Sequence, residues 1–306
     1  MSRTILIAGG TGLIGTSLKN YLSPAGHQVR ILSRKSSHTE ASDTFHWNPS
    51  KNSLDPESLK NIDVIINLTG ASIASGHWTK GRKKVLRASR VDTTRFLLEK
   101  CLEHGVKCQA YIGSSAVGIY GNRQDQILTE HSEIGAPGFL VNLCQEWEAA
   151  HDAFEQVADR VIKLRTGIVL SNYGGAWPQL KRSVIFGIGA YLGSGQQYMP
   201  WIHMQDQIRI IEGLIQNETI TGVVNASAPN PVTNRQFVAS IVQNQGGLGW
   251  LLPVPAFLLR LALGQMSSVL LDGQRVIPQQ LTNDGFIFSY SEIDEAIANL
   301  VEKKAW

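Results

Sequence analysis

Residues 4–15 read TILIAGGTGLIG, an aliphatic run that leads into glycines at positions 9, 12 and 15. Aliphatic residues then recur at helical spacing, which predicts a strand, a tight turn and a helix. Gly9 would let the chain turn sharply, Gly12 would let a pyrophosphate approach the backbone, and Gly15 would let the helix pack against the strand. The alternative is an ordinary glycine-rich turn, but a second strand predicted at 29–32 favours a dinucleotide site.

The phosphates of that dinucleotide would bind free N–H groups at the positive end of the first helix. The predicted contacts in this loop are Gly9, Thr11, Gly12, Leu13, Ile14 and Gly15.

Composition narrows the class of protein. The chain has 306 residues and a formal net charge of +3, which gives no electrostatic case for nucleic acid or an anionic membrane as the main partner. Its three cysteines show no metal-ligand spacing, so we predict reduced thiols, a cytoplasmic location and no metal site. No signal peptide is apparent at the N-terminus.

Residues 250–271 are strongly apolar, but Pro253, Pro255, Arg260 and Gln265 favour a buried helix over a membrane span.

The end of the second predicted strand bears on the choice of cofactor. Ser33, Arg34 and Lys35 stand there, and no Asp or Glu occurs from 28 to 38. Enzymes that use NAD commonly place an acidic residue here, whereas an arginine accommodates the 2′-phosphate of NADP. The sequence therefore favours NADP, and the alternative is that Arg34 and Lys35 form a solvated loop.

Further apolar runs at 62–68, 110–115 and 160–164 predict strands of a parallel sheet that is covered on both faces. Residues 43–60 are polar and interrupted by prolines, which predicts a surface excursion. Ligands of such sheets lie beyond the carboxyl ends of the strands. The predicted lining residues there are Asn67, Leu68, Thr69, Gly70 and Ser114.

The predicted fold class is α/β, with a Rossmann-type doubly wound parallel sheet and a smaller C-terminal substrate lobe. Residues 1–170 would form the NADP-binding domain, joined by a returning strand near 221–226, and residues 171–306 would form mainly the substrate lobe. Helices are predicted at 79–101, at 138–157, from 234 with Thr233 as its cap, and at 292–303. Aromatic residues in 171–201 would line a substrate pocket or pack the lobe.

Several segments carry a family resemblance. They include the glycine loop, the NLTG of 67–70, the SSAVGIYG of 114–121, the CQEWE of 144–148 and the PWIH of 200–203. The chain resembles an extended short-chain dehydrogenase/reductase of the epimerase type, and within it the atypical epimerase family protein subgroup. The resemblance implies a Rossmann domain that binds NADP(H), with Ser33 and Arg34 near the 2′-phosphate. It further implies cofactor contacts at Asn67, Leu68, Lys84, Ser89 and Ile168.

The acid–base pair of the family's established enzymes is absent. Those enzymes use Tyr-x-x-x-Lys, in which the lysine lowers the pKa of the tyrosine and holds the nicotinamide ribose. None of the seven tyrosines is followed by a lysine four residues later. Counting back four residues from Tyr120, where the usual hydroxyl would stand, gives Ala116, with Ser115 beside it.

The candidate catalytic residues are therefore Ser115 and Tyr120. Ser115 would bond a substrate oxygen or cap a turn, and Tyr120 would donate a proton or pack as a ring with a bonded hydroxyl. Weaker candidates, each more often structural than catalytic, are Cys144, Glu146, Glu148, His203 and Asp206.

Two functions follow from different classes. The first is an NADP-dependent oxidoreductase or nucleotide-sugar-type epimerase that acts on an unknown small polar substrate. The second is an NADP-binding sensor or partner-binding protein without catalysis, which the missing Tyr-x-x-x-Lys favours. Binding of nucleic acid through the basic helix at 79–101 is a remote third possibility.

Overall fold

The computed structural model describes residues 2–35, 43–247 and 249–302. Its strands are Thr4–Ala8 (β1), Gln28–Ser33 (β2), Thr44–Asn48 (β3), Ser53–Leu54 (β4), Val64–Asn67 (β5), Cys108–Ala116 (β6), Ile127–Leu128 (β7), Ala158–Thr166 (β8), Ile168–Ser171 (β9), Gly174–Gly175 (β10), Val184–Ile185 (β11), Ile188–Leu192 (β12), Tyr198–Met199 (β13), Trp201–His203 (β14), Gly222–Ala226 (β15), Val232–Thr233 (β16), Trp250–Val254 (β17) and Arg275–Val276 (β18).

The α-helices are Leu13–Leu22 (α1), Lys80–Arg87 (α2), Thr93–Glu103 (α3), Phe139–Asp152 (α4), Trp177–Lys181 (α5), Met204–Gln216 (α6), Asn234–Asn244 (α7), Ala256–Leu263 (α8), Ser268–Leu271 (α9), Gln279–Asn283 (α10) and Ile293–Val301 (α11). A π-helical turn, Ala88–Asp92, joins α2 to α3. The 3₁₀ turns are Pro49–Lys51, Pro56–Leu59, Val117–Tyr120, Ala153–Gln156 and Gly264–Ser267.

An eight-stranded sheet forms the centre of the molecule, in the order β15-β8-β6-β5-β1-β2-β3-β4. All neighbours are parallel except β3 and β4. The strand order reverses between β1 and β5, and the crevice at such a reversal is where doubly wound sheets bind ligands. The predicted α/β Rossmann-type sheet is therefore confirmed.

Apolar side chains pack against both faces of this sheet. One core contains Leu18 and Leu22 of α1 together with Ile208 and Ile211 of α6. The opposite core contains Phe96, Leu97 and Cys101 of α3, with Phe154 from the turn after α4. Because both faces are covered, the central strands are nearly continuous apolar runs, as a buried parallel sheet requires.

A further core lies among the later elements. It brings together Trp177, Trp201 and Phe237 with Ile293 and Ile297 of α11. The two tryptophans are at most 2% exposed, so they pack the interior and do not line an open pocket. Helix α7 begins at its predicted cap, because Thr233 accepts from the Gln236 amide in a reciprocal capping box.

Two predictions about local structure are wrong. Residues 43–60 do not form a surface excursion, because β3 joins the sheet beside β2 and Trp47 and Leu59 are buried. Residues 250–271 do not form one buried helix, because Pro253 and Pro255 leave a strand, β17, followed by the short helix α8, which has no buried residue. Among the described residues, no helix has both the length and the apolar character needed to cross a bilayer.

Candidate cofactor-binding site

The first turn of α1 presents free backbone donors at the crevice. Its N-cap is Gly12, which has no side chain to cap the turn, and no acidic residue stands in that turn. The Gly12 N–H donates to the Gly9 carbonyl at 3.0 Å, which closes the loop before the helix. The first N–H groups of a helix lack partners within it and carry its positive partial charge, so this turn suits an anionic group.

The structure gives a different reason for glycine at each of positions 9, 12 and 15. A Cβ at Gly9, where φ is +81°, would lie 2.8 Å from the Leu68 carbonyl, and a Cβ at Gly15 would lie 2.5 Å from Gly10 Cα. Side chains at those two positions would clash with fixed backbone. Gly12 has φ of −80°, and a Cβ there would meet only the Gly9 oxygen at 3.2 Å. The protein itself can nearly accommodate a side chain at Gly12, so the approach of a ligand best explains this glycine.

The loop after β5 forms the other side of the crevice, and hydrogen bonds of the Asn67 side chain hold this loop in position. Asn67 Oδ1 accepts from both the backbone N–H and the hydroxyl of Thr69, while Asn67 Nδ2 donates to Thr94 and to the Tyr111 hydroxyl, each at 3.0 Å. Asn67 is fully buried. Its side chain therefore holds the loop, and Leu68, Thr69 and the exposed Gly70 form the part of the loop nearer the crevice.

The hydrogen bonds continue from Tyr111 to His151, a fully buried residue that sequence reasoning missed. His151 Nε2 lies 2.9 Å from the Ser114 carbonyl, so Nε2 carries the proton and Nδ1 accepts from the Tyr111 hydroxyl at 2.7 Å. Burial lowers the pKa of His151 to about 4 and raises the pKa of Tyr111 well above its ordinary value. Both side chains are consequently neutral. Through the hydrogen bond of His151 to the Ser114 carbonyl, they hold β6 in position near its carboxyl end.

Because the imidazole of His151 is buried and neutral, we expect the free energy of unfolding to fall in mild acid. Burial also lowers the pKa of His203 to about 4. Since the ordinary pKa is 6.5, the unfolded chain binds protons before the folded one does, so stability is full above pH 6.5 and falls as the pH drops toward 4. For His151 the loss should be on the order of 3 kcal/mol. Urea unfolding at a series of pH values measures it.

The matched variants are His151→Gln and His104→Gln, the second at an exposed position after α3. We expect His151→Gln to be less stable at pH 7 but to lose less stability on acidification. His104→Gln should keep the parent's pH dependence. An unchanged pH dependence in His151→Gln would contradict this assignment of the neutral buried form.

The end of β2 presents the residues predicted to select the cofactor. Ser33 is buried, and its hydroxyl accepts from the Lys35 amide at 3.1 Å, which shapes the turn. Arg34 is exposed, and no carboxylate pairs with it among the described residues. Its guanidinium is therefore available to an added anionic group on the β2 side of the crevice.

The remaining predicted contacts lie around the same edge of the sheet. The Ser89 hydroxyl accepts from the Ala71 amide at 2.9 Å and donates to the Leu86 carbonyl, so it ties the β5 loop to the turn before α3. Lys84 is exposed on α2, and Ile168 is half-buried at the start of β9. Ser89 thus acts on the loop through its hydroxyl, while the Lys84 side chain is exposed to solvent.

Ser115 and Tyr120, the two catalytic candidates, lie in one buried network. The Ser115 hydroxyl donates to Glu148 Oε1 at 2.6 Å, and the Tyr120 hydroxyl donates to Asn225 at 2.8 Å while it accepts from Arg165 at 3.0 Å. Arg165 Nε and one terminal nitrogen bind both oxygens of Glu148 at 2.8 and 2.9 Å. All five side chains are buried. Arg165 and Asn225 escaped sequence analysis because their partners are distant in sequence.

The charges in this network are balanced. Burial acts to lower the pKa of Arg165, but the hydrogen bonds to Glu148 outweigh it and raise that pKa above its ordinary value. Burial raises the pKa of Tyr120, so its phenol keeps its proton. Both candidate hydroxyls thus donate their protons to protein groups, Ser115 to Glu148 and Tyr120 to Asn225.

The weaker catalytic candidates have structural partners. Burial raises the pKa of Cys144 to about 12, so its thiol stays protonated. Glu146 pairs with Arg87 at the surface, at 2.6 Å. His203 Nδ1 accepts from the Gln205 amide as the cap of α6, and Asp206 accepts from the Ser289 and Tyr290 amides. In the described part of the chain, no group of three or more His, Cys, Asp or Glu side chains could hold a metal ion.

A cleft of about 750 Å³ begins at the glycine loop and follows the outer face of α1. Its walls include Thr11 and Leu13 at the start of the helix, Asn20 further along it, and the turn at residues 173–175. A Cβ at Gly175 would lie 2.9 Å from the Leu13 side chain, so this turn packs closely over the first residue of α1. Residues 173–175 thereby contribute backbone to the surroundings of the glycine loop.

Comparisons with known proteins agree with this architecture. The model of the NAD dependent epimerase/dehydratase family matches residues 5–226, and a model described as a domain of unknown function matches residues 254–300. Epimerase family protein Mb2239 of Mycobacterium bovis is 38% identical over 295 residues, which are 96% of each chain. Epimerase family protein YfhF of Bacillus subtilis is 36% identical over 298 residues, 97% of each chain.

A solved structure with the same fold is that of the human epimerase family protein SDR39U1 (isoform 2) with NADPH. It has a TM-score of 0.86 and 28% identity, and the match covers 98% of this chain and 99% of the human one. The resemblance noted in the sequence is therefore confirmed along nearly the whole chain. This protein belongs to the NAD-dependent epimerase/dehydratase family, among the atypical short-chain dehydrogenase/reductase members called epimerase family proteins.

Proposed function

We propose that this protein binds NADP(H) and acts as an oxidoreductase or epimerase on a small polar substrate. The observation that carries the proposal is the uncapped first turn of α1, where Gly12 leaves backbone donors open to a diphosphate. Arg34 follows β2, and an arginine near this position accommodates the 2′-phosphate of NADP in dinucleotide-binding folds, which supports the choice of NADP(H). The three cysteines are free thiols, which favours a cytoplasmic location.

The choice of NADP over NAD has two supports. Arg34 is exposed at the end of β2, and no acidic side chain competes with it in residues 28–35. A guanidinium forms forked, charge-assisted hydrogen bonds with phosphate oxygens. The human relative's structure is described as holding NADPH. The nicotinamide would supply or accept a hydride, while the residues of this chain bind and orient it.

The proposed cofactor contacts fall into three groups around the crevice. The glycine loop and first helical turn would bind the diphosphate, and Ser33 and Arg34 would bind the adenosine side. The β5 loop, Ser114 and Ile168 would line the nicotinamide side, because they lie on or beyond the β5 side of the strand reversal.

A second candidate function is NADP binding without catalysis. The Ser115 and Tyr120 hydroxyls are buried and bonded to Glu148, Asn225 and Arg165, so neither offers a proton to a ligand without breaking that network. Together with the missing Tyr-x-x-x-Lys, this favours a sensor of the NADP redox state over a dehydrogenase.

Incubation of the protein with NADPH and a broad panel of carbonyl compounds separates the two candidates. Oxidation of NADPH, followed by the loss of nicotinamide absorbance, supports the oxidoreductase. Tight binding with no loss of absorbance across the panel contradicts the oxidoreductase. An epimerase returns the hydride to its own substrate and leaves the absorbance unchanged, so it is detected by interconversion of nucleotide-sugar epimers, and the absence of that conversion as well supports the sensor. Failure to bind NADPH at all would contradict both.

The Arg34→Glu variant tests the choice of cofactor. The new carboxylate would repel the 2′-phosphate and could accept from ribose hydroxyls, so NADPH affinity should fall about 30-fold while NADH affinity changes little. The measurement is the dissociation constant for each dinucleotide from nicotinamide fluorescence. Lys107→Glu makes the same charge change just before the amino end of β6, whereas the crevice lies at the carboxyl ends of the strands, so it should alter neither affinity. Equal NADPH affinity in Arg34→Glu and the parent would contradict the assignment.

A further inference from the structure

The small sheet β11-β12-β17 has apolar side chains on both of its faces. In its register Ile185 lies beside Ile188, and Ile188 lies beside Trp250, so these three side chains share the outer face. The opposite face packs on α7, because a Cβ at Gly189 would lie 2.6 Å from Val238. A sheet face that meets only water usually carries polar residues. The large side chains on this outer face are Ile185, Ile188, Leu192, Trp250, Leu252 and Val254.

Helix α8 adds an exposed apolar strip next to this sheet. Its first residue, Ala256, lies beside the end of β12, since a Cβ at Gly193 would lie 3.6 Å from the Cβ of Ala256. Phe257 and Leu261 stand four residues apart and therefore on one side of the helix. Leu261 is 83% exposed. We call the outer sheet face and this strip the apolar face, and its exposed members are Ile185, Phe186, Trp250, Leu252, Phe257 and Leu261.

Phe186, at the turn between β11 and β12, has two unfavourable features. Its φ is +51°, a backbone conformation that is strained for a bulky residue. It is also 96% exposed, so its ring gains no burial within the chain. Contact with something outside the chain would give this ring the burial that the fold does not. A group of exposed apolar side chains of this size marks a contact surface.

The charges around the apolar face are positive. No Asp or Glu occurs in residues 160–205 or 219–271, which supply all the strands of the small sheet as well as α8. Arg182, two residues before β11, and Arg260, on α8, are exposed, and neither forms an ion pair in the part of the chain that the structure describes. Asp272 is half-buried. Burial raises its pKa, and the charge of Arg260 partly opposes this effect.

The basic helix α2 continues this positive surface. Lys83 donates a hydrogen bond to Gln265, two residues after α8, and the neighbouring Met266 packs against the cluster around Trp78. Helix α2 contains five Lys and Arg residues, and no Asp or Glu occurs in residues 64–91. The formal net charge of +3 does not reveal this distribution, because the acidic residues lie in other parts of the chain.

We propose that the apolar face docks on an anionic lipid surface. Phe257, Leu261 and Trp250 would enter the interfacial layer, where aromatic and aliphatic side chains are stabilised. Arg182 and Arg260 would meet the lipid phosphates. A second copy of this chain fits less well, because a symmetric contact would bring the same unpaired cations together. Such docking is peripheral and does not depend on NADP(H) binding. It differs from the expectation drawn from net charge alone, because the cations are concentrated around one face.

The test is flotation of the purified protein with lipid vesicles. One set contains phosphatidylcholine alone, and the other contains equal parts of phosphatidylcholine and phosphatidylglycerol. We expect binding to the mixed vesicles at low salt. Binding should be about tenfold weaker to phosphatidylcholine alone, and weaker again at high salt, because the anionic charge is absent or screened.

Variants at exposed positions assign the binding to the apolar face. The double variant Phe257→Gln with Leu261→Gln keeps good helix formers in α8 and should bind the mixed vesicles about 20-fold more weakly. Arg260→Gln should weaken binding about fivefold. Ile287→Gln is the matched control. Ile287 is 77% exposed but lies near α6, where its carbonyl accepts from Arg209, so this variant should bind as the parent does.

Three results would overturn the proposal. The first is no binding of the parent to the mixed vesicles, and the second is equal binding by the double variant and the parent. The third is a parent that sediments as a dimer without lipid while the double variant is a monomer, which would make the apolar face a contact between copies. Thermal unfolding shows whether the double variant is folded. If it is not, Arg182→Gln and Arg260→Gln decide, and unchanged binding in both overturns the proposal.

Discussion

Substitution of Gly12 by alanine should weaken NADPH binding about 10- to 100-fold while the protein stays folded. The backbone at Gly12 has φ of −80° and ψ of 177°, which any residue can adopt, and the added Cβ meets only the Gly9 oxygen at 3.2 Å. The methyl group would instead occupy the space that a pyrophosphate needs above the first turn of α1. Fluorescence titration with NADPH gives the affinity, and thermal unfolding reports the fold.

Two other glycine variants serve as controls for Gly12→Ala. Gly15→Ala places a Cβ 2.5 Å from Gly10 Cα and should destabilise the protein by about 2 kcal/mol or more. Gly213 lies in α6, and the new methyl group in Gly213→Ala would meet open space. This variant should lower neither the stability of the protein nor its affinity for NADPH. NADPH affinity in Gly12→Ala equal to that of the parent would mean that no phosphate approaches this turn.

Removal of Glu148 should destabilise the protein by about 3–5 kcal/mol. Glu148→Ala leaves Arg165 buried without its two-point partner and leaves the Ser115 hydroxyl without its acceptor. Replacement of both charges, in Glu148→Ala with Arg165→Met, should recover part of the loss, because no uncompensated buried charge remains. Urea unfolding of the two single variants and the double variant measures the coupling.

Glu146→Ala is the control for the buried pair. Glu146 lies two residues earlier on α4 and pairs with Arg87 at the surface, where both side chains are well exposed, at 46% and 39%. Such a pair contributes about 0–1 kcal/mol. If the free energy of unfolding falls no more in Glu148→Ala than in Glu146→Ala, the contacts of Glu148 with Ser115 and Arg165 do not stabilise the fold as we expect.

The sequence predicted the features that depend on local pattern. The glycine loop, the central parallel strands and the Thr233 cap all follow from spacing over a few residues, and each is present. The prediction failed at β3 because the prolines at positions 49 and 56 suggested a loop, although they lie just outside the strand in 3₁₀ turns. It failed at α8 because an apolar composition alone does not say what covers a helix.

The buried polar groups could not be predicted, because their partners lie far apart in sequence. Asn67 meets Tyr111 across 44 residues, and Tyr120 meets Asn225 across 105. Asn67 has a clear place at a strand end, but only the fold shows that its side chain points inward. Arg90 lies in the basic segment predicted as a helix at 79–101, and only the fold shows that Arg87 has two carboxylate partners while Arg90 has none among the described residues.

The most direct measurement is a calorimetric titration of the wild-type protein with NADPH at physiological salt, with NADH titrated in parallel. The account predicts saturable binding of one NADPH per chain, with NADH weaker by at least about tenfold, because the 2′-phosphate meets Arg34. The absence of any saturable heat with either dinucleotide would contradict the central claim that the first turn of α1 binds a diphosphate.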